Sequence, residues 1–221
     1  MKSTDSLPAV VPVYDDMLKR DRRWALDEGG RYFEGESLVQ KTLRRIGRRL
    51  DELGIPYAVA GGMALFAHGF ERFTHDVDIL VTREDLSVIH AKLEGLGYVP
   101  PFTGSKNLRD TEHGVRIKFL IAGEFPGDGK PKAVSFPDPE EAGVQINGVR
   151  YLTLPKLVEL KLASGMTGGL HRLKDFADVI ALIETLGLAA EFADQLNPYV
   201  RDKYLELWHG IRDSPLGPLE T

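Results

Sequence analysis

The sequence predicts an α/β (α+β) chain: a short β-sheet core, entered by N-terminal helices and followed by a C-terminal helical bundle. Three observations lead there. Tyr57 to Val81 reads as strand, glycine turn, helix, strand. Lys106–Ile121 and Val144–Leu152 each alternate in polarity about a central turn. From Leu154 onward, apolar residues recur at helical spacing.

The chain has 221 residues, enough for one large domain or two small ones. Residues 1–35 form an N-terminal segment with a helix, 36–153 the core and 154–221 the helical C-terminal region. The net charge of −5 gives no overall basic signature of a nucleic-acid binder. The sequence contains no cysteine, which excludes disulfides and thiolate metal sites and agrees with a cytoplasmic location. Met1–Asp5 leads into no apolar run of signal-peptide length, and no segment is apolar enough to span a membrane.

Residues 1–13 read as loose, because Pro8 and Pro12 interrupt any helix. Tyr14–Glu28 reads as a helix ended by Gly29-Gly30. Glu36–Leu53 is amphipathic, with Leu38, Thr42, Ile46 and Leu50 on one stripe. Arg44, Arg45, Arg48 and Arg49 lie largely off it and form either a solvated face or a surface for an RNA backbone. Gly54 closes this helix. Tyr57–Ala60 makes a strand, Met63 to about Gly69 a helix and Asp76–Val81 a second strand.

Arg83–Leu96 reads as a helix on which His90 is a packed residue rather than a base. Tyr98-Val99 is extended. Lys106–Thr111 and Val115–Ile121 pair across Glu112-His113-Gly114, with Val115, Ile117, Phe119 and Ile121 inward and Arg116, Lys118 and Leu120 on the other face. Gly123–Pro139 is an irregular loop whose Lys130 and Lys132 are either solvated or in contact with phosphate or acceptor. Val144–Leu152 is a hairpin about Asn147-Gly148.

Pro155 suits the first turn of a helix from Leu154 to Gly165. Lys161 falls within its apolar stripe, so it either snorkels or meets an anion. Gly165–Gly169 reads as a flexible link. His171–Leu186 reads as a helix burying Leu173, Phe176, Ala177, Ile180 and Ile183. Ala189–Leu196 and Tyr199–Arg212 complete the bundle, and Pro215–Pro218 ends it loosely.

The chemistry concentrates in the strand–helix–strand unit. Alternation puts Asp76 and Asp78 on one face of their strand, with Val77, Ile79 and Val81 toward the core. Two adjacent carboxylates repel unless a cation lies between them. Mg²⁺ favours one or two carboxylates together with substrate phosphates. Gly61-Gly62 lets backbone approach a ligand closely.

Ala60-Gly61-Gly62, the short helix and Asp76-Val77-Asp78-Ile79 together resemble the signature of the DNA polymerase β-like nucleotidyltransferase superfamily. Arg72-Phe73-Thr74 before the aspartates resembles the R-x-T-x-D form of its small toxin-type (AbiEii-like) and minimal branches. The resemblance covers roughly residues 36 to 186. It implies a short mixed sheet and transfer of a nucleoside monophosphate from an NTP to an acceptor, with Mg²⁺ or Mn²⁺ and release of pyrophosphate. Asp76 and Asp78 would be catalytic and hold the metal. Gly61, Gly62, Arg72 and Thr74 would meet the nucleotide.

Lys161 in L-V-E-L-K-L-A-S-G resembles a lysine that the superfamily points at the triphosphate. Arg172-x-Lys174-Asp175-x-x-Asp178 resembles a following R-x-K-D-x-x-D segment. Those charges orient Lys161, or line the nucleotide cleft, Lys174 among them, or form surface pairs.

One position departs from the pattern. The superfamily places a third acid on the strand after the aspartates, and Lys118 stands there. As a fixed cation it neutralises the pair, weakens Mg²⁺ binding or contacts the triphosphate. Glu124, of the same parity, is the candidate substitute metal ligand, with Asp128 in the loop nearby. The resemblance further implies tRNA, a protein or an antibiotic-like small molecule as acceptor, and a cognate antitoxin as partner. Two other readings remain: a non-catalytic nucleotide-binding regulator on the same fold, and an RNA-binding module using the Arg44–Arg49 face.

Overall fold

A computed structural model describes residues 13–213. The expectations for residues 1–12 and Pro215–Pro218 lie outside them. In chain order the elements are α1 (Tyr14–Arg20), α2 (Arg22–Phe33), α3 (Leu38–Glu52), β1 (Ala58–Ala60), α4 (Gly61–Ala67), β2 (Asp76–Val81), α5 (Arg83–Leu93), β3 (Tyr98–Val99), β4 (Leu108–Asp110), β5 (Arg116–Ile121), α6 (Pro139–Ala142), β6 (Gly143–Ile146), β7 (Val149–Leu152), α7 (Leu154–Thr167), α8 (Leu173–Leu186) and α9 (Pro198–Arg212). The α/β class holds, and the sheet is mixed.

Among the described residues, seven strands form one sheet in the order β3-β4-β5-β2-β1-β7-β6. β2 therefore lies at its centre. It runs antiparallel to β1, with Ala60 opposite Asp78, and parallel to β5, with Asp78 opposite Lys118. The two sequence-predicted hairpins occupy the flanks. Asn147 and Gly148 both take positive φ, 49° and 79°, as the tight turn between β6 and β7 requires.

Burial of apolar side chains sets the layers. Val77, Ile79 and Val81 of β2 and Ile117, Phe119 and Ile121 of β5 are buried, as their alternation predicts. α3 covers this face with Val39, Leu43, Ile46 and Leu50. Ser37 starts it with a reciprocal capping box: its hydroxyl accepts from the Gln40 N–H, and the Gln40 side chain accepts from the Ser37 N–H.

Three local expectations need correction. The N-terminal helix breaks at Asp21, not at Gly29-Gly30. Asp21 is extended, and its carboxylate accepts from the Trp24 N–H at 3.0 Å, starting a new helix that runs through both glycines to Phe33. Tertiary bonds outweigh the roughly 1 kcal/mol that each helical glycine costs. Buried Glu28 accepts from Tyr14 Oη at 3.1 Å and from the Leu38 N–H at 2.6 Å, and Tyr32 is fully buried.

The second correction concerns Gly165–Gly169. α7 continues through Gly165, where a Cβ would lie 2.6 Å from the Phe176 ring. Gly165 is thus a packing residue, and only Gly168 and a 3₁₀ turn at Gly169–Arg172 join the helices. α7 is also buried on all sides from Leu157 to Gly165, rather than along one stripe.

Third, α8 is rotated from its expected facing. Asp175, Asp178, Val179, Leu182 and Ile183 are buried, whereas Leu173 and Ala177 are exposed. Charge pairing with α7 turns the two acids inward, and the apolar pattern alone did not carry that information. Among the described residues no helix is long and apolar enough to cross a membrane.

The arginine face of α3 is largely neutralised in place. Arg45 bonds Asp110 at 2.6 Å and Glu112 at 2.7 Å, Arg49 bonds Glu52 at 2.8 Å, and Arg44 lies 3.6 Å from Glu36. Urea unfolding distinguishes these roles. Ile46→Ala should cost about 2–4 kcal/mol. Arg48→Ala, at an exposed position, should change stability by no more than about 0.5 kcal/mol. Arg45→Ala strips a charged partner from fully buried Asp110 and should cost about 2 kcal/mol.

Candidate active site

The site forms where the end of β1 meets the start of β2. Because Ala60 pairs with Asp78, the chain must leave β1 beside that carboxylate. Gly61 turns it there with φ +61°, and a Cβ at this position would overlap Asp78 Oδ2. Gly62 is equally confined, because its Cβ would lie 2.6 Å from Thr74 Cβ. The segment Arg72–Thr74 then returns the chain to β2. Tyr32 Oη holds it from below by donating to the Arg72 carbonyl at 3.1 Å.

Asp76 and Asp78 share one face, but their surroundings differ. Asp76 is buried, and both its oxygens are engaged: Oδ1 accepts from Thr74 Oγ1 at 3.0 Å, and Oδ2 contacts the Lys118 ammonium. Burial opposes its charge, but Lys118 and the hydrogen bonds prevail and hold its carboxyl below the ordinary aspartate value. Among the described residues no hydrogen bond reaches the Asp78 carboxylate, which borders the cleft. Burial, reinforced by repulsion from Asp76, pushes its pKa up to about 6. Burial works against the Lys118 charge, yet Asp78 and Asp76 together raise its pKa above the usual lysine value.

The acid pair opens on a cleft of about 540 Å³, within the roughly 300–1,000 Å³ range of small-ligand sites. Its walls bring together Gly61, Gly62, Arg72, Thr74, Asp76, Asp78, Lys118, Glu124, Lys161 and Lys174. These ten candidates thus border one cleft, whereas Asp128, Lys130, Lys132 and the Arg44–Arg49 face are not among its lining residues.

Their states differ from the expectations in two respects. Glu124 binds Arg83 at 2.7 Å and Lys106 at 3.2 Å, so its carboxylate is held by two cations. Lys161 does not snorkel; it meets anions, the other alternative, but these are carboxylates of its own chain rather than a phosphate. It is 7% exposed and bonds Asp178 at 2.6 Å and Asp175 at 3.4 Å. Lys174 is exposed and forms no ion pair among the described residues.

Sequence reasoning missed Ser164 and Lys106, and it did not foresee which partner Arg72 takes. Ser164, one turn after Lys161, donates to Asp175 at 2.7 Å; its spacing on α7 was the available signal. Arg72 Nε lies 3.1 Å from Asp178, linking the β-core to α8. Lys106 and Arg172 also line the cleft, and no local pattern marks Lys106. Lys132 turns away, bonding the Pro126 carbonyl at 2.6 Å and Asp128 at 2.7 Å.

The donors present define what cation they suit. Among the described residues no group of three or more His, Cys, Asp or Glu side chains is placed to hold a metal ion. Two adjacent carboxylates fit Mg²⁺ only together with phosphate oxygens, and Asp76 joins only if Lys118 releases it.

Fold and site together define a mixed-sheet α/β protein with an acid pair on its central strand, facing a cleft that carries cations on its other walls. No protein-family model matches the chain, and no curated protein matches it in sequence. Among solved structures it is similar to the antibiotic-resistance factor ANT(2'')-Ia in solution, at 17% identity over 78% of this chain and 97% of that one, with a TM-score of 0.48. The crystal structure of ANT(2'')-Ia in complex with adenylyl-2''-tobramycin gives 16% identity, 76% and 97% coverage, and a TM-score of 0.49. A nucleotidyltransferase candidate from Thermotoga maritima gives 17%, 62% and 91%, and 0.46.

Two outcomes test the electrostatics. Lys161→Met leaves Asp175 and Asp178 without their shared buried cation and should cost about 3–5 kcal/mol in urea unfolding. In the metal-free protein, the Asp78 carboxyl should titrate near 6 by carbon NMR, and Lys118→Met should move that midpoint upward. An acid raised by folding holds its proton more tightly in the folded chain. Asp78 therefore favours folding most below its unfolded value of 3.8, and that contribution disappears as pH rises through about 6.

Proposed function

We propose that this protein is a nucleotidyltransferase that moves a nucleoside monophosphate from an NTP to an acceptor and releases pyrophosphate. The observation that carries this reading is the packing of Gly61 on Asp78. A position with no room for a side chain brings bare backbone and a carboxylate together on the cleft wall, while Lys174, Lys118 and Arg72 supply positive charge around it. A chain with net charge −5 that gathers these cations into one cleft suits a polyanion beside an acid pair.

The triphosphate would lie between the Gly61-Gly62 backbone and the α7–α8 wall, with Lys174, which has no ion-pair partner among the described residues, as a cation for it. Lys161, bound to two acids, would shape that wall rather than act as a free phosphate ligand. The oxygen of an acceptor hydroxyl would bond to the α-phosphorus and release its proton to solvent as the bond from the α-phosphorus to the bridging oxygen breaks, and pyrophosphate would leave with that bond's electron pair. Asp78, joined by Asp76 when Lys118 turns aside, would hold a Mg²⁺ or Mn²⁺ delivered with the nucleotide. That ion would polarise the phosphoryl oxygens. The remaining work is positioning and charge stabilisation by the chain's own residues.

By analogy with the superfamily the acceptor would be tRNA, a protein or a small antibiotic-like molecule, and the partner a cognate antitoxin. A second reading has its own support. Lys118 on Asp76 neutralises half the pair, which suits a nucleotide-binding regulator that does not turn over.

The test incubates the protein with each α-labelled NTP, Mg²⁺ and pooled tRNA, protein or aminoglycoside acceptors. Label should move to one acceptor class with pyrophosphate release. Asp78→Asn should lower the rate by at least about a hundredfold. Nucleotide binding without transfer to any acceptor would favour the regulator, and no NTP binding would contradict both readings.

A further inference from the structure

Lys118 is the residue that the superfamily resemblance does not explain, and its surroundings assign it a role. The parallel register of β2 and β5 fixes it opposite Asp78, on the cleft side of β5. Its ammonium rests on Asp76 Oδ2, while Thr74 Oγ1 takes Oδ1. Asp76 is therefore fully engaged without any ion, and Asp78 alone keeps a carboxylate without a hydrogen bond from the described residues. One carboxylate is too few donors for a hard divalent cation, which takes about six oxygens. The neighbouring acid cannot complete the set: Glu124 is bound to Arg83 and Lys106. The Lys118 side chain is 37% exposed, so it reaches the cleft as well as the acids.

We infer that Lys118 is a tethered cation that takes the place of a protein-bound divalent ion, so that the cleft receives the phosphate chain of a nucleoside triphosphate without a metal already bound. The inference rests on the nucleotide reading for its ligand, but not for its cation. An ammonium fixed to β5 is present at all times, requires no metal concentration and competes with any divalent ion for Asp76. Divalent ions would then enter only with the phosphates. The position acts in opposite directions on two ligands: loss of its charge should strengthen binding of a bare metal and weaken binding of a bare phosphate chain.

The experiment measures both with the full chain. Mn²⁺ binding in the absence of nucleotide is followed by paramagnetic resonance in wild type, Lys118→Met, Lys118→Glu and Lys118→Arg. Inorganic triphosphate binding is measured by calorimetry in EDTA. Wild type and Lys118→Arg should bind Mn²⁺ weakly, Lys118→Met at least about tenfold more tightly and Lys118→Glu more tightly still. In EDTA, wild type should bind inorganic triphosphate and Lys118→Met should bind it at least about tenfold more weakly.

Wild-type Mn²⁺ binding tighter than about 0.1 mM overturns the inference without any variant, since that is tighter than the weakest class of built divalent sites, about 0.1–1 mM. Equal Mn²⁺ affinity in folded wild type and Lys118→Met overturns it as well, as does triphosphate binding in EDTA that ignores Lys118. If no phosphate compound binds under any condition, the nucleotide reading fails, while the Mn²⁺ series still decides whether Lys118 displaces the metal.

Discussion

Two carboxylates on one face of the central strand, one buried and one partly so, repel each other, and much of the structure around them compensates for that. Asp76 is met by a hydroxyl from Thr74 and an ammonium from Lys118. Asp78 receives neither and has its pKa raised. The same face demands that Gly61 lack a side chain, because the register of β1 on β2 leaves no room for one. The glycine, the threonine and the lysine are three responses to one pair of charges.

A second charge cluster fastens the helical half to the core. Lys161 on α7 lies against Asp175 and Asp178 on α8, and Arg72 reaches Asp178 from the connection into β2. Ser164 and Arg172 also approach Asp175. Each buried charge here has an opposite partner, as the large penalty for isolated buried ions requires. The cluster forms the wall of the cleft opposite the acid pair, so packing of the C-terminal helices and shape of the site are set together.

Much of this was legible in the sequence, because strong local rules applied. Period-two alternation gave the inward and outward faces of β2 and β5, and Asn147-Gly148 gave the last hairpin. The Gly-Gly and Asp-x-Asp spacing located the cleft. What failed did so for tertiary reasons. Gly29 and Gly30 resemble a helix stop, yet Glu28 and Tyr32 hold α2 together through contacts distant in sequence. The facing of α8 was misread because its buried positions include acids whose partner lies on α7. Lys161 reads as a residue needing an anion, and the Asp175 and Asp178 charges read as able either to orient it or to form surface pairs; only the packing of α8 on α7 decides between the two. The neutralisation of Glu124 by Arg83 and Lys106 likewise depends on the chain crossing between elements.

In the proposed function, the cleft between the acid pair and α8 holds the phosphates of a nucleotide. Amide NMR of the labelled protein during titration with each of the four NTPs tests it most directly. Shifts concentrated at Gly61, Gly62, Asp78, Lys118 and Lys174, and saturable for at least one NTP, are the expected result. No saturable shift with any NTP, or shifts confined to the arginine face of α3, would contradict it.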